Sequence, residues 1–165
     1  MGIQLPVYLR VGRNPLPQIL NPDYKYEYGA PVLLRDGKNV TLITTGEYSQ
    51  IGVGICDNLI QKHGIELKHI HIPTLNFVDK KKLDKYLVNC KYIFVVEEHF
   101  GSGGLCDLIL KVLSTTNDKF QIRCIYVEKF GETGTEEELR KKMKTDKESV
   151  ETQIIKCILN KEMLR

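Results

Sequence analysis

The segment Glu97-Glu98-His99-Phe100-Gly101-Ser102-Gly103-Gly104 places two carboxylates and an imidazole directly before a glycine-rich turn. A continuously apolar run, Tyr92 to Val96, precedes it, and an apolar-faced segment from Gly103 to Leu113 follows. In open α/β sheets, ligands gather beyond the carboxyl ends of the strands. A glycine-rich turn there can bring backbone N–H groups and a helix N-terminus onto an anion. His99 and its acidic neighbours would add acid–base capacity. The same glycines also permit close packing of a helix on a sheet with no ligand. The turn is therefore expected to form either an anion site or a packed, interface-forming loop through His99, Gly101, Ser102, Gly103 and Gly104. It is not a dinucleotide fingerprint, because Cys106 stands where the third glycine belongs, and the P-loop lysine is absent.

A second loop, Phe130-Gly131-Glu132-Thr133-Gly134-Thr135, also joins a strand to a helix cap. It is expected on the same sheet edge as the first, so the two would make one surface for a ligand or a partner chain. His69 and His71 lie two apart in a strand-like stretch and share a face, but no third metal ligand is near them in sequence. The five cysteines are odd in number, widely spaced and without a C-x-x-C pair, which suits reduced thiols in the cytoplasm. There is no nucleophile elbow and no Ser/Cys–His–acid arrangement. No catalytic residue and no metal ligand is assigned.

The elements that must position these loops follow from periodicity. Pro31 to Leu34 and Asn39 to Thr44 are β-type runs around Asp36-Gly37, a pair suited to a tight turn, so a hairpin is expected. Ile51, Ile55 and Leu59 recur every four residues in a helix from Glu47 to His63, ended by Gly64. Leu67 to Ile72 alternates as a strand. Asp79 caps a helix to about Leu87, with Val78 and Leu83 placed for a hydrophobic staple. Tyr92 to Val96 has the pattern of a central strand buried on both faces. After the helix from Gly103 to Leu113 come a strand, Ile122 to Val127, a capping box at Thr135 and Glu138 opening a helix to about Met143, and a final helix from Ser149 to Leu159. Strands alternating with helices imply a mostly parallel sheet covered on both faces. Residues 1–30 differ: an apolar stretch, Pro6 to Leu9, leads into a proline-rich, extended linker.

Composition narrows the function classes. The chain has 165 residues, of which 42% are hydrophobic and 27% charged, enough for one globular domain. Lys+Arg is 24 against Asp+Glu 21, a net charge of +3 that gives no reason to expect a nucleic-acid partner. No apolar run approaches the roughly 18–20 residues that span a bilayer, and no export signal opens the chain, so no membrane association is expected.

Several ordered motifs share one resemblance. Val96-Glu97-Glu98-His99 with Gly101 to Leu105, then Lys129-Phe130-Gly131-Glu132-Thr133-Gly134-Thr135 with Glu138-Leu139, resemble the C-terminal domain of transketolases. Leu34-Arg35-Asp36-Gly37-Lys38, Val40 to Gly46 and Ile72-Pro73-Thr74 agree with it. Similar domains end 1-deoxyxylulose-5-phosphate synthases and the β-subunits of 2-oxo-acid dehydrogenases, but Glu-Glu-His with Phe-Gly-Glu-Thr-Gly is most similar to transketolase, especially its split two-chain forms. The resemblance spans about residues 28 to 160. It implies an α/β fold, a three-layer α/β/α domain with a five-stranded mixed sheet and one antiparallel strand.

Pro6 to Arg13 and Leu16-Pro17-Gln18 resemble the exit of the pyrimidine-binding domain that precedes this one in the family. Residues 1–27 are therefore expected to be the remnant of that domain with its linker, and residues 28–165 the C-terminal-like domain. The resemblance gives Arg13 the binding of a substrate phosphate, with Arg10 as the nearby competitor. A guanidinium suits that role through paired, charge-assisted hydrogen bonds. In the complete enzymes, thiamine diphosphate and a divalent metal are held by a Gly-Asp-Gly motif and a more distant asparagine. Asp36-Gly37-Lys38-Asn39 departs from that pattern, so this chain is expected to bind no cofactor. The resemblance implies the C-terminal domain or fragment of a transferase that moves two-carbon ketol units between sugar phosphates. Such a piece would be inactive alone, with a homodimer or the missing N-terminal portion or subunit as its partner. The alternative is a free-standing, non-catalytic module that binds a phosphorylated metabolite or a partner protein.

Overall fold

A computed structural model describes residues 6–12, 15–116 and 119–159. The elements follow the expected order: β1 (Val32–Arg35), β2 (Asn39–Thr44), α1 (Tyr48–His63), β3 (Leu67–His71), α2 (Lys80–Leu87), β4 (Cys90–Phe100), α3 (Leu105–Leu113), β5 (Gln121–Val127), α4 (Glu136–Met143) and α5 (Lys147–Leu159). Local signals do what their chemistry demands. Asp79 accepts the Lys82 N–H at the start of α2. Thr135 and Glu138 close a reciprocal capping box on α4. Gly64 ends α1 in the left-handed conformation.

The five strands form one sheet in the order β1-β3-β2-β4-β5. β2 pairs in parallel with β3 and β4, and β4 in parallel with β5, while β1 alone runs antiparallel, against β3. The hairpin expected at Asp36-Gly37 does not form, because β3 lies between β1 and β2. β2 is buried along five of its six residues, so it needs a strand on each side; the four half-buried residues of β1 suit the edge. The positive φ falls at Asn39, not at Asp36 or Gly37. Gly37 is instead a point of close approach: a Cβ there would lie 2.4 Å from the Leu67 carbonyl carbon and the Lys68 nitrogen.

Alternation along the strands divides the core into two layers. Leu42, Phe94 and Val96 pack with Ile55 and Leu59 of α1 and Val150 and Ile154 of α5. Ile43, Ile93 and Val95 face the other way, onto Leu83 of α2 and Leu105 and Ile109 of α3. Ile93 to Val96 are fully buried, as a strand covered on both faces requires. Among the described residues no helix is long and apolar enough to cross a membrane.

Because Gly37 passes against the β3 backbone, Gly37→Ala is expected to destabilise the domain by about 1–3 kcal/mol, the scale of forced overpacking. Urea unfolding should show a lower midpoint with an unchanged slope.

Candidate functional site

β4 continues past Val96 to Phe100. Its register against β5 breaks between these residues and resumes with Phe100 opposite Val127. Glu97 sits in that break, fully buried. The Leu105 N–H donates to its Oε2 at 2.6 Å and the Cys106 N–H to its Oε1 at 2.8 Å. One carboxylate thus takes two of the donors that α3 leaves free at its start, and sits at the positive end of the helix dipole. Gly104 makes room for it, since a Cβ there would lie 2.1 Å from Glu97 Oε2. The Gly103 N–H donates to Asp107 Oδ2 at 2.6 Å. These donors of the glycine turn are engaged by the protein's own acids.

The turn also brings the two loops together. Phe100 and Phe130 meet edge to face at 5.1 Å, and the His99 ring stands against Phe100 at 6.4 Å. His99 and Ser102 are exposed, and Gly101 rests on the Tyr126 ring. Phe130 is 85% exposed. After β3, on the same sheet edge, Phe77 stacks on Tyr28 at 5.6 Å beside exposed Leu75. Val7, Tyr8, Leu9 and Val11 are exposed as well, in an arm that forms no strand. Its Gly12 abuts the Glu47 carboxylate.

Charge on this edge is tied down. Arg140 of α4 donates to Glu47 at 3.0 Å and Glu98 at 3.5 Å, pairs with Glu136, and lies 5.3 Å from the Tyr48 ring centroid. Its partners are 93 and 42 residues away in the chain for the first two contacts, so no local spacing announces them. The role of Glu97 is equally hidden in the sequence, because its donors follow eight and nine residues later across a loop. Arg13, expected to bind phosphate, lies outside the described residues.

His69 and His71 share a face, as expected, and are joined through two hydroxyls. His69 Nε2 lies 2.8 Å from Thr44 Oγ1, which lies 2.9 Å from Ser49 Oγ, which lies 2.7 Å from His71 Nδ1. A proton on His69 Nε2 lets each hydroxyl donate onward and leaves only a lone pair at the buried, unpartnered Nδ1. Burial lowers the His69 pKa to about 3, helped by His71 and Arg35, and burial lowers that of His71 to about 4. Both rings are neutral near pH 7 and form part of the packing between β2, β3 and α1.

The arrangement is a three-layer α/β domain with a glycine turn after the inner strand β4. Residues 29–150 match the sequence model of the family "Transketolase, C-terminal domain", and the chain belongs to that family. It is 33% identical over 109 residues to one subunit of an apulose-4-phosphate transketolase of Actinobacillus succinogenes, matching 66% of this chain and 35% of that protein. It is 28% identical over 103 residues to a 1-deoxy-D-xylulose-5-phosphate synthase of Clostridium acetobutylicum, matching 62% of this chain and 16% of that protein. Among solved structures, a split-gene transketolase in the form of an inactive beta4 tetramer superposes with a TM-score of 0.79 at 21% identity, over 91% of this chain and 48% of that one. A transketolase from Campylobacter jejuni gives 0.61 at 15% identity, over 83% and 20%. The chain therefore spans about a third, or less, of the length of these curated relatives.

Glu97→Ala removes the acceptor from two buried N–H groups and is expected to cost about 1–3 kcal/mol per unpaired donor. Gly104→Ala, which displaces the same carboxylate, should destabilise in the same direction. Thermal unfolding of the two single variants and the double variant checks this, with a double loss smaller than the sum expected.

The histidines set an acid limit. Their folded pKa values lie below the unfolded value of 6.5, so the unfolded chain takes up protons first as pH falls. Their contribution is complete above about pH 6.5 and is lost toward about pH 4, by at most about 1.4 kcal/mol per pH unit for each histidine. Denaturant midpoints measured from neutral to about pH 5 should fall, and His69→Gln should flatten that slope.

Proposed function

We propose that this chain is the C-terminal portion of a split, transketolase-type transferase and that it serves assembly of the active enzyme. The observation that carries the reading is the exposed aromatic rim at the carboxyl ends of the strands, with Phe130 at 85% exposure against Phe100. A related chain is named as one subunit of a transketolase, which supports a division of the enzyme between polypeptides. The rim suits a protein surface better than an anion, because Glu97 and Asp107 already hold the N–H groups of Gly103, Leu105 and Cys106. His99, Gly101, Ser102, Gly103 and Gly104 then act by shaping that rim.

The apolar arm, residues 6–12, belongs in this reading to the preceding pyrimidine-binding domain, together with the rest of residues 1–27. Arg13 would follow it to the substrate and bind the sugar phosphate. The partner is the portion that carries thiamine diphosphate, with self-association into a dimer as part of the same assembly. Asp36 does not fit the cofactor's metal, because its Oδ1 accepts the Gly37 N–H at 2.9 Å and faces Lys68 Nζ at 3.6 Å. In this reading the chain contributes no cofactor ligand and no catalytic residue. Ketol transfer between sugar phosphates would depend on the completed enzyme, in the cytoplasm.

The chain purified from its own source is expected to accompany a thiamine-diphosphate-binding polypeptide. Alone, with thiamine diphosphate, Mg²⁺ and sugar phosphates, it should transfer no ketol unit, and the co-purified polypeptide should restore turnover. Phe130→Asp, on an exposed site, should weaken reconstitution about tenfold or more, the scale of a ~1.4 kcal/mol interface loss. A solitary 18.9 kDa monomer, or ketol transfer by the chain alone, would overturn the proposal.

A further inference from the structure

Five cysteines, none in a disulfide, are distributed through the domain, and two of them approach the same residue of β4. Cys106 lies in the first turn of α3, its N–H held by Glu97 and its Sγ 3.9 Å from the Val95 carbonyl oxygen. Val95 on β4 is the register partner of Cys124 on β5. Neighbours in register point to the same face, and both cysteines pack with the α2–α3 layer. The helix turn and the strand thus converge on Val95 of β4, which sets the Cys106 and Cys124 thiols side by side on one face of the sheet. We propose that Cys106 and Cys124 form a redox-active dithiol, which hydrogen peroxide converts to an intrachain disulfide joining α3 to β5.

The surroundings assign the roles. Cys124 is half-buried and Cys106 buried, so the oxidant meets Cys124 first. The neighbouring Cys106 thiol lowers the Cys124 pKa, whereas the Cys124 thiol and burial raise that of Cys106. Cys56, buried, is pushed up to about 12, and burial raises Cys90 too, so neither of these competes as a thiolate. The Cys124 thiolate attacks one peroxide oxygen. The O–O bond breaks, hydroxide leaves as water after taking up a proton, and Cys124 becomes a sulfenic acid. The sulfur of Cys106 then attacks the Cys124 sulfur. The S–O bond breaks, the thiol proton leaves with that hydroxyl as a second water, and the S–S bond closes. Two thiols lose two electrons and one peroxide gains them. A dithiol reductant reverses the reaction by thiol–disulfide exchange. The product would tie the start of α3, and with it the glycine turn, to the edge strand.

The test is peroxide treatment of the folded full chain, followed by alkylation, intact mass and non-reducing peptide mapping. The expected result is a loss of two hydrogens per chain, mapped to a Cys106–Cys124 link and reversed by dithiothreitol. Cys106→Ser should leave a sulfenic acid on Cys124 that dimedone traps, and Cys124→Ser should abolish both products. Because the mapping uses the unaltered chain, poor folding of a variant cannot decide the outcome. A disulfide mapped to any other pair, or full alkylation of both thiols after peroxide treatment of the native fold, would overturn the proposal.

Discussion

The Glu97 carboxylate fixes the relation between β4 and the helix that follows it. Two N–H groups of α3 close on its two oxygens, so the helix cannot shift along the sheet without stranding a buried charge. The contact is possible only because position 104 has no side chain. From it follow the path of the turn, the placement of Phe100 against Phe130, and the approach of Cys106 to β5. A buried acid at the mouth of a strand-end loop suggests catalysis at first sight. Here the geometry gives it a structural task, as the internal anion of a helix start.

The sheet supplies the rigid frame for that contact. β4 is an interior strand, with neighbours on both sides and a helical layer over each face. Residues 93 to 96 alternate strictly between those layers, which specifies register, since a slip of one residue would exchange the two cores. At the other end of the sheet, β3 enters between β1 and β2 and is paired on both edges. That arrangement buries His69 and makes the hydroxyl chain to His71 necessary, because an imidazole at zero exposure needs partners for its polar atoms.

What is legible in the residues is what is decided over short distances. The α4 capping box, the Asp79 cap and the apolar stripe of α3 each depend on residues within a turn or two, and each is present. The layers are legible from alternation; the single antiparallel strand is present too, although the hairpin that predicts it does not form and β1 pairs with β3 instead. The strand order beside β1 is not legible, because Asp36-Gly37 carries the local chemistry of a hairpin turn while the pairing is decided by which strand is buried enough to sit in the centre. In the sequence Glu97 reads as an acid–base candidate, because its donors lie beyond a loop. Arg140 carries no signal there, because Glu47 is 93 residues away. The thiol pair is of the same kind, since Cys106 and Cys124 are neighbours only through Val95.

Polar and apolar groups at the carboxyl edge are treated differently, and that difference bears on function. The Glu97 carboxylate has its N–H donors, Gly103 has Asp107, and Glu47, Glu98 and Glu136 surround Arg140. An anion arriving at the turn would have to displace an internal carboxylate from donors it already satisfies. The apolar groups have no such internal answer: Phe130, Phe77, Leu75 and the arm from Val7 to Val11 leave large hydrophobic surface in water. Covering that surface releases water, and the Arg140 cluster near it already holds its charges in ion pairs. A rim of satisfied charges around uncovered aromatics is the composition of a protein contact surface, with a dry centre and a polar boundary. Under the proposed function, this uncovered surface is where another polypeptide would dock.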